Sequence, residues 1–280
     1  MATSRIRRSV LFVPAIRPDR FEKAIATGAD SVCLDLEDGV APGQKDEARR
    51  QAMALLSERP DRRAEVILRV NDPGSALGDR DLAAVLATGV RPDALMVPKV
   101  GNPDTIRALE RRLAPAIEGL PLIVQIETAR GLAAVEAIAT ASPNVVVLFI
   151  GAVDLSAELG CVIEWDALLY ARSRVVAAAA LAGVDAMDTP CMDVSATAQL
   201  GDETRAVRRL GFVGKAAIHP TQVPVIQAAF SPDADEVAWA LRIIKAYEAN
   251  AGGVLLVDGK LIERPVIASA RRMLAVAAAV

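Results

Sequence analysis

The chain has 280 residues, 52% of them hydrophobic, 24% charged and only 3% aromatic, so a large core is available but must be built from Ala, Val, Leu and Ile. The formal net charge is −3, the 32 Lys and Arg are scattered, and aromatics are too few to stack bases, which argues against a nucleic-acid binder and leaves an anionic small molecule open. One histidine, His219, excludes three-His zinc sites and HExxH metalloproteases, and no GxSxG elbow accompanies it, so chemistry must lean on carboxylates, Arg, Lys or a hard metal.

Short β-branched runs alternate with longer Ala/Leu/Arg/Glu stretches. The pattern predicts strand 9–14, helix 18–27, strand 31–38, helix 43–57, strand 65–71, helix 81–88, strand 94–99 and helix 104–113. It continues with strand 122–128, helix 132–141, strand 145–151, helix 166–182, strand 185–189, helix 197–210, strand 214–219 and a helix over 221–230. Eight β/α units over 1–230 predict an α/β fold of the (β/α)8 TIM-barrel type, because a doubly wound sheet would usually carry GxGxxG after its first strand. Beyond the barrel, 231–280 reads as a helix–hairpin–helix extension: helix 233–250, a hairpin over 253–263 turning at Asp258-Gly259, and a helix opened by Pro265. It is expected to act as a lid or an arm that contacts a neighbouring subunit.

The apolar run 10–16 contains Pro14 and meets Arg17, Asp19 and Arg20, a poor signal-peptide core, and runs 145–153 and 175–184 fall short of the ~20 residues of a membrane span. Cys33, Cys161 and Cys191 show no CxxC spacing and read as reduced thiols. A cytoplasmic protein that does not engage a membrane is expected.

Side chains alternate along a strand, so Asp35 and Glu37 lie opposite Val32, Leu34 and Leu36, Arg69 and Asn71 opposite Val66, Leu68 and Val70, and Gln125 and Glu127 opposite Val124 and Ile126. Lys99, Asp154, Asp188 and His219 end or follow the fourth, sixth, seventh and eighth strands, which predicts a ring of charge at the C-terminal mouth, where barrel enzymes keep their sites. Glu127 and Asp154 top adjacent strands and can converge on one Mg²⁺, or Mn²⁺; the alternative is a helix-capping Asp154 and a Glu127 paired with Arg69 or Arg130. Arg69 offers a planar fork to a substrate carboxylate or enolate oxygen, and a salt bridge to Glu37 can coexist with that role. Lys99 invites a Schiff-base aldolase reading against an electrostatic one, and His219 reads as a hydrogen-bonded structural residue.

Read together, RSVLFVP over 8–14, RPDRF over 17–21, DLED over 35–38, LRVN over 68–71, VPK over 97–99, QIET over 125–128, Gly151 to Asp154-Leu155, and Gly214-Lys215 to Ile218-His219-Pro220 resemble the citrate lyase beta-subunit-like proteins of the HpcH/HpaI aldolase and citrate lyase superfamily. The resemblance runs in order over nearly the whole chain. It implies a (β/α)8 barrel, a divalent metal and making or breaking of a C–C bond in a malyl-CoA, citramalyl-CoA or citryl thioester, with acetyl-CoA and a 2-oxo acid as products. Carried over by motif, the metal ligands are Glu127 and Asp154, the substrate-carboxylate arginine is Arg69, coenzyme A is met by Arg17 and Lys23, and Glu37 and Asp38 orient metal-bound water or Arg69. In the family's CoA lyases a tail Asp reaches a neighbouring subunit's site, and the matching position here is Glu263, in Leu261-Ile262-Glu263-Arg264-Pro265. Pro14-Ala15 stands where the family often has Pro-Gly. A homo-oligomer, trimer or hexamer, follows from the same resemblance. Rival readings are a citrate lyase beta subunit acting on a citryl-acyl-carrier thioester, a CoA-independent 4-hydroxy-2-oxo-acid aldolase and a non-catalytic subunit.

Overall fold

A computed structural model describes residues 5–58, 64–250 and 255–278. Eight parallel strands close into a barrel in sequence order: β1 (Ser9–Pro14), β2 (Ser31–Asp35), β3 (Glu65–Arg69), β4 (Ala94–Val97), β5 (Leu122–Ile126), β6 (Val145–Ile150), β7 (Asp185–Asp188) and β8 (Gly214–Ala217). β8 returns to β1 through Ser9 opposite Lys215 and Leu11 opposite Ala217. All eight strands predicted from the sequence are present, and seven of them stop one to three residues early. The trimmed residues hold the polar tips: after β2, the backbone N–H of Glu37 turns back to donate to Asp35 Oδ1 at 2.8 Å instead of entering the ladder.

The period of two decides which side chains fill the barrel. Val10, Cys33, Ile67, Met96, Ile123, Val147, Phe149, Met187 and Ala216 form one buried cluster inside it. Leu34, Leu68, Leu95, Val124 and Leu148, one residue out of phase, are fully buried on the opposite face of the strands. Parity therefore sends Asp35, Arg69 and Gln125 inward. It also corrects one expectation. Met187 points inward, so Asp188 points away from the mouth, is fully buried, and meets Lys215 Nζ at 2.6 Å and Arg172 Nε at 2.9 Å. The ring of charge at the mouth does not contain Asp188.

Three helices depart from prediction. The helix expected at 81–88 begins at Ala76, because Ser75 caps it by accepting the Gly78 N–H at 3.1 Å, and a Cβ on Gly78 would lie 2.0 Å from the Asp72 carbonyl oxygen. The helix expected at 132–141 is two short ones, Ala129–Ala133 and Val135–Ala139, broken at Ala134, whose φ is −110°. Between β6 and the long helix Trp165–Ala182, a further helix, Ala152–Leu159, starts at Gly151 and ends at left-handed Gly160.

The chain divides into two compact units, one Arg7–Ile226 and the other Gln227–Val280 together with Met1–Ile6. In the second, helix Ala234–Ala249 is opened by a capping box between Asp233 and Glu236. Strands β9 (Leu255–Val257) and β10 (Lys260–Ile262) pair through Asp258 and Gly259, both at positive φ, and helix Arg264–Ala278 follows. Residues 253 and 254 of the expected hairpin lie outside the described residues. Ala240, Ile243, Ile262, Ile267 and Ala270 give this unit a core of its own. Among the described residues no helix is long and apolar enough to cross a membrane.

Candidate active site

Asp35 and Arg69 stand opposite each other in the β2–β3 register, and their inward side chains form a two-bond fork, Nε to Oδ1 at 2.7 Å and Nη2 to Oδ2 at 2.6 Å. Asp35 is itself aimed by the Gly39 N–H, which donates to Oδ2 at 2.8 Å; a Cβ on Gly39 would come within 2.5 Å of that oxygen. The guanidinium lies over the Phe12 ring, 4.8 Å from its centroid, and Nη1 is 2.8 Å from Glu37 Oε2. Burial works against the charge on Arg69, but the Asp35 carboxylate, through its charge and its two hydrogen bonds, joined by Glu37 where that is ionised, outweighs it and holds the guanidinium ionised.

Glu37 is buried, and its Oε2 lies 2.8 Å from Arg69 Nη1 without hydrogen-bond alignment among the described residues. Burial pushes its carboxyl up to about 8, against the pull of Arg69 and with help from Glu127, Asp38 and Asp35. Near neutral pH Glu37 therefore carries a proton for most of the time.

Glu127 follows β5 and is 2% exposed. Its Oε1 accepts the backbone N–H of Lys99 at 2.8 Å and its Oε2 accepts from Gln125 Nε2 at 3.0 Å. Burial pushes this carboxyl up to about 6, opposed by Lys99. Asp154 sits in the first turn of helix Ala152–Leu159, about a third exposed, and Lys99 Nζ donates to its Oδ2 while lying 3.8 Å from Glu127 Oε1. One ammonium thus sits between two carboxylates. No Cβ separates the strands here: on Gly151 it would lie 2.3 Å from Glu127 Oε2. These observations fit a hard divalent cation, since two carboxylate oxygens already converge on a positive group. Among the described residues no set of three or more His, Cys, Asp or Glu gathers for a metal, so water or substrate oxygens would complete the shell.

A cavity of about 780 Å³ opens over this floor and is bordered by Arg69, Glu127 and Asp154 on one side and by Arg17, Arg20 and Lys23 on the other. The basic trio runs along helix Pro18–Ile25, from Arg17 at its N-cap to Lys23 in its last turn; Arg17 is half-exposed and forks Asp19 with two bonds of 2.8 Å. Asp38 and His219 also reach the cavity from exposed positions, and His219 Nδ1 is 2.8 Å from Thr221 Oγ1. Glu263 belongs to the second unit, exposed between β10 and helix Arg264–Ala278. Lys99 is kept protonated: burial lowers its basicity but Asp154, Glu127 and Glu37 raise it further, which makes it a poor Schiff-base nucleophile. Reasoning from the sequence did not single out Asp35, Gln125, Gly151 or Arg20 as site residues. The alternation that selected Arg69 and Glu127 also selects Asp35 and Gln125, whereas Gly151 shows its purpose only when Glu127 is built beside it.

The chain belongs to the HpcH/HpaI aldolase/citrate lyase family, a family of lyases, which its residues 8–220 match. It is 32% identical to the human mitochondrial citramalyl-CoA lyase over 98% of this chain and 86% of that protein. It is 34% identical to the citrate lyase beta subunit of Escherichia coli K12, over 97% of this chain and 93% of that one. The crystal structure of CitE from Mycobacterium tuberculosis in complex with magnesium, acetoacetate and coenzyme A is 34% identical and superposes with a TM-score of 0.82 over 98% of each chain.

Proposed function

We propose that this chain is a magnesium-dependent carbon–carbon lyase that cleaves a 3-hydroxyacyl-CoA thioester of the malyl-, citramalyl- or citryl-CoA type to acetyl-CoA and a 2-oxo acid by retro-Claisen chemistry. The observation that carries this reading is the convergence of Glu127 and Asp154 on one positive group beside the clamped guanidinium of Arg69. The named ligands of the related CitE structure support the choice of metal and thioester.

Glu127 and Asp154 would hold Mg²⁺, with Mn²⁺ the alternative, and the bound ion supplies Lewis-acid polarisation of the oxygens of the 2-oxo-acid portion. Arg69 binds the carboxylate of that portion and lends positive charge to the enolate as the C–C bond opens. Asp35 and Phe12 fix the plane of the guanidinium before substrate arrives, so its orientation need not be selected at each turnover. Because Glu37 is mostly protonated near neutral pH, Arg69 faces one full counter-charge rather than two and retains attraction for an anionic substrate. Arg17 and Lys23, with Arg20 between them, would meet the phosphates of coenzyme A. A base takes the proton of the 3-hydroxyl as the C–C bond breaks and the oxo group forms, and Glu263 is assigned, on its motif, the return of a proton to the enolate carbon. A homotrimer or hexamer is part of the same reading.

The test is a screen of the purified protein against malyl-, citramalyl- and citryl-CoA with Mg²⁺ and with EDTA. Metal-dependent release of acetyl-CoA from one of them is expected, and Glu263→Gln should lose turnover while still binding acetyl-CoA. Inertness toward all three, or turnover that EDTA leaves unchanged, contradicts the reading.

A further inference from the structure

We infer that Lys99 is a built-in counter-ion for the carboxylate pair: its ammonium holds Glu127 and Asp154 together in the metal-free protein, and a divalent cation must displace it to bind. The inference rests on the metal-site reading above and adds a residue that reading does not use.

The backbone is the first observation. Lys99, which follows Pro98, has a φ of 55° and is one of two non-glycine residues at positive φ among the described residues. The left-handed region is disfavoured for a residue with a Cβ, which there crowds the following carbonyl oxygen. Such a conformation persists where the surroundings impose it, and here its product is visible: the same residue delivers its backbone N–H to Glu127 Oε1 at 2.8 Å and its side chain to Asp154 Oδ2. The charge balance is the second. Glu127 is 2% exposed, and without a positive group between them its carboxylate and that of Asp154 would repel. The ammonium, 3.8 Å from Glu127 Oε1 and bonded to Asp154, stands where a cation shared by both would stand.

Mobility is the third. The Lys99 side chain is 30% exposed, and its flexible four-carbon stem lets the head move into solvent without moving the backbone N–H from Glu127. Displacement is therefore local. It leaves Glu127 aimed, frees two carboxylates at once, and makes metal affinity a difference between two cations competing for one pair of ligands.

The experiment is calorimetric titration of Mg²⁺ into the unsubstituted protein, Lys99→Met and Lys99→Arg, with the melting temperature of each metal-free form. Lys99→Met keeps the stem and removes the charge, so Mg²⁺ should bind it about ten-fold or more tightly than the parent, as expected for loss of a competing charge within ~4 Å. Its metal-free form should melt lower and gain more on adding Mg²⁺. Lys99→Arg should stay close to the parent in both readouts. Unchanged or weaker Mg²⁺ binding by Lys99→Met, with its circular dichroism native, overturns the inference and leaves the metal site intact. If Lys99→Met does not fold, tighter Mg²⁺ binding by Lys99→Gln decides in favour and parental binding decides against. No Mg²⁺ binding by the unsubstituted protein overturns both the inference and the metal-site reading.

Discussion

Glu37 shows how a single position can hold two opposed requirements. Its carboxyl lies against the Arg69 guanidinium, yet burial and three neighbouring carboxylates keep it largely neutral near pH 7. In the unfolded chain it would titrate near its ordinary value of about 4.5, so between there and about 8 the folded state binds the extra proton. By linkage the stability Glu37 contributes is fully present below the lower value and is lost as pH rises through the upper one. Glu37→Gln should remove that slope. Melting curves from pH 5 to 9 should show the variant gaining on the parent as pH rises, and a gap that stays constant with pH would refute this account. The same scale shows what can be read in advance: strand alternation alone brings Asp35, Arg69, Gln125 and Glu127 to one face, because a one-residue slip would bury their charges among aliphatic side chains. It does not show that Asp35 takes Arg69 in a fork, since that depends on which residues meet across β2 and β3.

At the scale of elements, strands are legible and their connections less so. A β-branched run bounded by Gly, Pro or Asp is a local signal that marks β1, β3, β5 and β6, whereas β7 and β8, which hold no Val, Ile or Thr, are placed by the β/α alternation around them. Helix Ala152–Leu159 is hidden because Gly-Ala-Val-Asp-Leu continues the apolar run of β6 without a start signal; its N-terminal residue Gly151 offers no side-chain cap. Yet this helix carries Asp154, and Gly151 lets it begin against Glu127. Gly151→Ala should therefore act on the site rather than on the helix. The added methyl would fall 2.6 Å from Glu127 Cβ and 2.3 Å from Oε2, forcing the carboxylate aside, and misplacement on this scale costs about 10²-fold in kcat. Steady-state kinetics beside a melting curve would separate the two, and parental kcat in the variant contradicts the close fit.

Across the barrel as a whole, charge is used on both sides of the sheet for different ends. Inside the mouth, Arg69 lines a cavity with Asp35, Glu127 and Asp154 among its carboxylates, and Lys99 and Glu37 pair with these lining groups. Behind β7 and β8, Asp188, Lys215 and Arg172 are buried together, with the Arg172 guanidinium 5.2 Å from the centroid of the Trp165 ring. Asp188→Asn would take the counter-charge from buried Arg172 and leave Lys215 only Glu203, at 3.7 Å, and the expected loss is about 3–5 kcal/mol of stability, read by denaturant unfolding with coincident spectroscopic probes. A loss below about 1 kcal/mol would mean the cluster is solvated, as surface pairs are.

The central claim concerns Glu127 and Asp154 as the seat of a metal that the reaction requires. Its most direct measurement is acetyl-CoA release by the parent protein and by Glu127→Gln, on the best thioester of the screen, across a Mg²⁺ titration. The parent should respond to Mg²⁺ with saturation, while Glu127→Gln, native in its circular dichroism, should fall by more than the roughly 10–100-fold that outer partners of a metal cost. Parental turnover and the same Mg²⁺ dependence in Glu127→Gln would contradict the account.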